Sequence, residues 1–322
     1  METIAIEEHF AMPFGPHERT DTPTSGGTGA YMAEVGERLV DLGAGRLADM
    51  DAAQIDMQVL SLSAVDEGLR SDAAEIARSS NDLLAETVRR APTRFAGFGT
   101  LPMTHPEKAA AELERCVTKL KLVGAVIDGT TEGKFLDDPR FEPVLAEAER
   151  LDVPIYLHPA PPPKAVFDAY YSGLPAEAAA ILSISGWGWH AETALHSFRL
   201  IVAGAFDRFP KLKMIIGHMG EFIPYCFNRS DLLLSRAAPH LQRRVGEYFQ
   251  TNFYITTSGY FTTPPFLCAL SVVGADHILF AVDYPYSPNA AGRSFLQAAP
   301  VGALDMEKIT HGNAERLLKL RP

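Results

Sequence analysis

Eight short apolar runs, most of them followed by a stretch of helical periodicity, constrain most tightly what this chain can fold into. They are Thr3–His9, Met57–Leu62, Phe95–Leu101, Gly124–Asp128, Pro154–His158, Lys213–His218, Phe253–Thr257 and His277–Asp283. Runs such as Ile215-Ile216 and Ile278 to Val282 do not alternate polar with apolar residues, as expected of strands covered on both faces. Between the runs lie amphipathic stripes. Ile76, Leu83, Leu84 and Val88 share a face before Pro92, and Leu113, Cys116 and Leu120 mark the next helix. Phe141, Val144, Leu145, Ala148 and Leu151 precede the fifth run, and Leu195, Phe198 and Val202 precede the sixth. Asn313 to Leu320 closes the chain as a short helix.

Strand–helix alternation eight times over predicts an α/β fold, a (β/α)8 TIM barrel built as one domain over residues 1–322. A doubly wound open sheet would give similar runs, but no Gly-rich phosphate loop follows the first strand. Two segments break the repeat. Residues 11–46 carry a core, Thr20 to Gly29, of loop-forming residues, and residues 159–189 open with Pro161-Pro162-Pro163 and end at Trp187-Gly188-Trp189. Both leave the C-terminal end of a strand, where barrels build their sites, so both are expected to serve as lids or binding loops.

Composition excludes several partners. A net charge of −11 argues against nucleic acid, and no apolar run reaches the ~18 residues of a membrane span. The acidic start lacks the basic segment of a signal peptide. Cys116, Cys226 and Cys268 are odd in number and far apart, which suits core thiols in a reducing cytoplasm.

The ends of the runs carry the chemistry. Glu7 and His9 stand two apart, so on an extended backbone they project together while Glu8 points elsewhere. The fifth run ends in His158, the sixth in His218 with Glu221 just beyond, and the eighth in Asp283. A lone polar residue ending an apolar run is ordinarily a cap or a turn. Four runs ending in metal-ligand or proton-transfer types on one barrel rim are a constellation. Among the other histidines, His17 lies in the first long loop, while His190 and His196 open the helix after the second, where His190 can line the pocket. His105, His240, His277 and His311 are assigned structural or surface roles.

Glu7-x-His9, His158-Pro159, His218-Met-Gly-Glu221, Asp283-Tyr-Pro and the closing Gly312-Asn-Ala-Glu-Arg-Leu-Leu318 resemble the amidohydrolase-2 family. This is the aminocarboxymuconate-semialdehyde decarboxylase-like branch of the amidohydrolase superfamily. The resemblance covers nearly the whole chain, and the opening Glu7-Glu8-His9-Phe10 is most similar to γ-resorcylate and dihydroxybenzoate decarboxylases. It implies a distorted barrel with one divalent metal, held by Glu7, His9, His158 and Asp283, and His218 and Glu221 as proton-transfer partners behind it. It also implies that Arg229 meets a substrate carboxylate, often across a subunit interface, in a homodimer or homotetramer. No strand-four lysine is evident, so a carboxylated-lysine dinuclear site is not supported.

Two histidines and two carboxylates on a dication form a neutral shell suited to Zn²⁺, with Mn²⁺ the alternative. The resemblance favours non-oxidative decarboxylation of a small aromatic hydroxy-carboxylic acid, with Asp283 the leading proton donor and Trp187, Trp189, Tyr284 and Tyr286 as candidate walls for the ring. Charge logic leaves a hydrolase or hydratase open, in which Asp283 takes a proton from water activated at the metal. A barrel that binds without turnover is disfavoured, because no expected ligand is missing.

Overall fold

The computed structural model describes residues 2–12, 27–63 and 73–320. Thr20 to Gly26 of the first long loop, and His17, lie outside the described residues. The strands are β1 (Ile4–Phe10), β2 (Met57–Leu62), β3 (Phe95–Gly97), β4 (Gly99–Thr100), β5 (Ala125–Asp128), β6 (Ile155–His158), β7 (Met214–Ile216), β8 (Phe253–Thr256) and β9 (Ile278–Leu279). All pairings are parallel, in the order β1-β2-β3 and β4-β5-β6-β7-β8-β9.

Two seams turn these sheets into one ring. The third sequence run is split at Phe98 into β3 and β4, yet Phe98 N–H donates to the Leu60 carbonyl and Gly99 N–H to the Gly124 carbonyl, both at 2.9 Å. The last strand returns to the first: Ile6 N–H donates to Phe280 O at 3.2 Å and His9 N–H to Tyr284 O at 2.7 Å. The fold is a TIM barrel, with helices outside it.

Ile4, Ile6, Val59, Phe98, Val126, Tyr156, Ile215 and Leu279 form one buried cluster inside the ring, plugged by Ala314, Leu317 and Leu318 of the closing helix Asn313–Leu318. The larger cluster, with Ala5, Leu60, Ile155, Leu157 and Ile216, fills the layer between strands and helices. β1 departs from strict alternation. Its register against β2 shifts between Ala5 and Glu8, and the extra residue lets Glu7 and His9 face inward beyond Ile4 and Ile6.

Several boundaries differ from the sequence reading. Residues 11–46 are not one loop, since helices run Gly27–Val40 and Ala44–Ala53, and residues 159–189 contain helices Lys164–Tyr170 and Ala176–Ser183. His218 lies two residues past β7, and Asp283 four past β9. Among the described residues no helix is long and apolar enough to cross a membrane.

One buried histidine makes the fold acid-sensitive. His196 is 1% exposed, and Leu136 N–H donates to its Nε2 at 2.8 Å. Burial drives its pKa from 6.5 down to about 3. The folded value is depressed, so this contribution is complete above pH 6.5 and is lost as pH falls towards 3, because only the unfolded chain takes up the proton. The slope approaches about 1.4 kcal/mol per pH unit. Urea melts of wild type and His196→Gln between pH 7 and 4 should show a shallower pH dependence for the variant; parallel curves would assign the acid sensitivity elsewhere.

Candidate metal centre and proton relay

The rim at the C-terminal ends of the strands collects the charged side chains. Ligand atoms of Glu7, His9 and His158 all lie within 4.8 Å of one another, and all three residues are buried. Glu7 Oε1 is 3.7 Å from His158 Nε2, and His9 Nε2 is 3.3 Å from Asp283 Oδ1. The structure therefore brings together the four residues that the sequence proposed as ligands.

Neighbouring strands orient three of them. Tyr156 OH and Thr256 Oγ1 donate to Glu7 Oε2, the latter at 2.8 Å. Ser61 Oγ on β2 holds His9 Nδ1 at 3.2 Å. Asp128 Oδ1, ending β5, lies 2.9 Å from His158 Nδ1, close although poorly aligned for a straight N–H···O bond. Each imidazole is thereby turned to offer Nε2 to the centre, the usual arrangement behind metal-bound histidines.

Glu7 Oε1 and His9 Nε2 are buried with no hydrogen-bond partner. A buried carboxylate oxygen without a donor is costly, as is an imidazole nitrogen left bare when Nδ1 holds the ring proton towards Ser61, and a cation removes both costs. The donor set of two imidazoles and two carboxylates fits a dication.

Behind the centre runs a second cluster. His218 Nδ1 is 2.7 Å from Glu221 Oε1, and His190 Nδ1 is 2.5 Å from Glu221 Oε2. His218 Nε2 faces forward, 3.8 Å from Asp283 Oδ2 and 3.9 Å from Glu7 Oε1. The Gly217-to-Phe222 turn makes this possible. His218, Met219, Glu221 and Phe222 all have positive φ, and Ser258 Oγ accepts the His218 N–H at 3.0 Å. Burial alone would raise the Glu221 carboxyl, but His218 and His190 overcome it and hold it at about 2. Burial likewise raises Asp283, and its contacts with His218 and His9 bring it to about 2. Burial lowers His218, but Glu221, Glu7 and Asp283 outweigh that and raise it well above its usual value. Three carboxylates thus surround His218, which stands one contact away from Asp283.

The predicted ring walls separate into two groups. Tyr286 presents its ring edge to His9 at 5.6 Å, and its OH meets Ser63 Oγ at 2.6 Å. Trp187 is 51% exposed and packs on Phe222 at 4.7 Å, and Trp189 is half-buried beside His190. Tyr284 is 2% exposed and lies in the core with Arg46 4.7 Å over its ring, on the Glu8 side of the seam rather than with Glu7 and His9. Arg229 is exposed on the helix Ile223–Ala237, with no ion-pair partner among the described residues. Sequence reading missed Tyr260, whose ring stands 6.1 Å from that of His218, and the supporting residues Ser61, Asp128, Tyr156, Thr256 and Ser258. Only Asp128 carried a signal, since it ends an apolar run as Asp283 does.

Known proteins resemble this chain over nearly its whole length. Residues 16–320 match the amidohydrolase family. The chain is 40% identical over 332 residues to a γ-resorcylate decarboxylase of Rhizobium radiobacter, covering 98% of each chain. The crystal structure of a dihydroxybenzoic acid decarboxylase from Polaromonas sp. JS666, with bound manganese and the inhibitor 2-nitroresorcinol, superposes with a TM-score of 0.89 at 36% identity, covering 100% of this chain and 98% of that one. A 5-carboxyvanillate decarboxylase from Sphingomonas paucimobilis superposes at 0.88 with 34% identity, covering 99% of each.

Proposed function

The chain belongs to the amidohydrolase family, and from that premise we propose that it is a metal-dependent carboxy-lyase that decarboxylates a small aromatic hydroxy-carboxylic acid without oxidation. The observation that carries this reading is the juxtaposition of the unpartnered Glu7 Oε1 and His9 Nε2 with a hydrogen-bonded chain, His190–Glu221–His218, ending at Asp283. The working unit is the whole chain, residues 1–322, as one domain.

Glu7, His9, His158 and Asp283 would hold the ion, which supplies Lewis acidity to orient the substrate's carboxylate and phenol oxygens and to stabilise phenolate charge. Zn²⁺ is our first assignment and Mn²⁺, which the Polaromonas neighbour binds, the second. The reaction breaks the ring-to-carboxylate bond, leaves its electron pair on the ring carbon and takes up one proton there. Asp283 takes that proton from His218 across their 3.8 Å contact and passes it to the ring carbon. Glu221, fixed between two imidazoles, keeps His218 charged between turnovers. Trp189 and Tyr286 wall the ring. The test is mass spectrometry of a hydroxybenzoate panel: loss of CO₂ with a phenol product supports the assignment, and gain of water marks a hydrolase or hydratase instead.

The three cysteines form no disulfide, which supports a cytoplasmic location. The assembly we propose is a homodimer in which Arg229 reaches a neighbouring chain's pocket and offsets the substrate anion. Arg229→Ala should then cost about 2 kcal/mol, roughly 30-fold in KM for carboxylated substrates. Mixed with Asp283→Asn it should recover some activity in hybrid dimers. A fully active monomer at working concentration would refute the shared site.

A further inference from the structure

The seam between the first and last strands is held by a side chain as well as by backbone. Past β9 the chain turns so that Asp283 takes φ +71, a left-handed conformation that side chains other than glycine adopt at a cost. Asp283 N–H still finds a carbonyl, that of Glu7 at 2.9 Å. On either side of it, Glu8 stands where carbonyls would be. Its Oε1 accepts from Val282 N–H at 2.8 Å and its Oε2 from Tyr284 N–H at 3.2 Å. The amides of residues 282, 283 and 284 thus all bond to two adjacent residues of β1.

Glu8 is fully buried and is itself held in place. Gln58 Nε2 lies 3.4 Å from Oε2, and Gln58 Oε1 accepts from Arg46 Nη1 at 3.2 Å. Arg46, also fully buried, donates through Nη2 to the His9 carbonyl at 2.6 Å. The three side chains therefore link the backbone of His9 to the backbone on both flanks of Asp283. The side chains of those same two residues meet at 3.3 Å in the centre.

We propose that Glu8 is a positioning residue of the site: its carboxylate clamps the left-handed turn at Asp283 and so aims that side chain between His9 and His218. This rests on the reading of Asp283 as ligand and proton carrier.

The test is a double-variant cycle read by Co²⁺ binding to metal-stripped protein, with the visible spectrum of the Co²⁺ form as a second readout. Glu8→Gln has the same shape, but its amide N–H₂ meets a backbone N–H and one bracket bond is lost. It should weaken Co²⁺ binding roughly 10–100-fold, as removing an outer-shell partner does, and alter the spectrum. In an Asp283→Asn background the same change should have little further effect on binding. With the native carboxylate at 283, kcat should fall by a similar factor while KM moves less than about threefold. Equal losses of Co²⁺ affinity in both backgrounds would make Glu8 a general support of the fold, and an unchanged affinity and spectrum in Glu8→Gln would overturn the clamp. If Glu8→Gln fails to fold, Glu8→Asp, which keeps the carboxyl group but shortens the reach, carries the same cycle. Because Co²⁺ binding needs no substrate, failure of the clamp is distinguishable from failure of the decarboxylase assignment, which would appear as no CO₂ release by the wild-type protein.

Discussion

Asp283→Asn should abolish turnover while leaving the substrate able to bind. The amide keeps the size of the side chain and its left-handed backbone, since asparagine tolerates φ +71 as aspartate does. What it removes is the oxygen that, in the proposed mechanism, takes a proton from His218 and passes it on. General acid–base catalysis is worth about 10²–10⁴-fold, so single-turnover rates should fall by at least the lower figure. The dissociation constant of an unreactive ring analogue should change far less. Activity within about tenfold of wild type would move the proton delivery to another residue, with His218 next in line because its Nε2 faces the same centre.

His158→Ala should strip the metal. Its Nε2 faces Glu7 Oε1 at 3.7 Å, and its other nitrogen lies 2.9 Å from Asp128 Oδ1. Outer-shell partners of metal ligands typically cost 10–100-fold in affinity when changed. Loss of a ligand should exceed that, and Asp128→Asn should fall within it, giving a graded pair. Elemental analysis of purified protein reads both: near-stoichiometric divalent metal in wild type and little in His158→Ala. Unchanged content in His158→Ala would remove that residue from the centre.

The barrel was legible because strands buried on both faces write themselves as unbroken apolar runs, and the residue ending such a run is conspicuous. Glu7, His9 and His158, which the structure brings together, stood out this way. His218 and Asp283 were found by the same signal even though neither lies in a strand, because each follows its strand within a few residues. The supports were not legible. Tyr156 reads as an ordinary strand aromatic, and Thr256 and Ser258 as ordinary strand-end hydroxyls, until the ring closes and points them at Glu7 and His218. Tyr284 was misplaced for a similar reason. Adjacency to Asp283 in sequence suggested a pocket wall, but the turn at φ +71 sends its ring under Arg46. Helix Gly27–Val40 went unseen because its three glycines, Gly27, Gly29 and Gly36, read as loop residues.

The seam joining Glu8 to Val282 spans 274 positions of sequence. Contacts of such separation form late, after the loop-closure entropy of almost the entire chain has been met. Two proposed ligands, Glu7 and His9, and a third, Asp283, lie on opposite sides of that separation, so the ion would have no complete site until the seam closes. Binding only the closed form, it acts as a latch: added metal should raise the melting temperature with concentration, and it should slow unfolding more than it speeds folding.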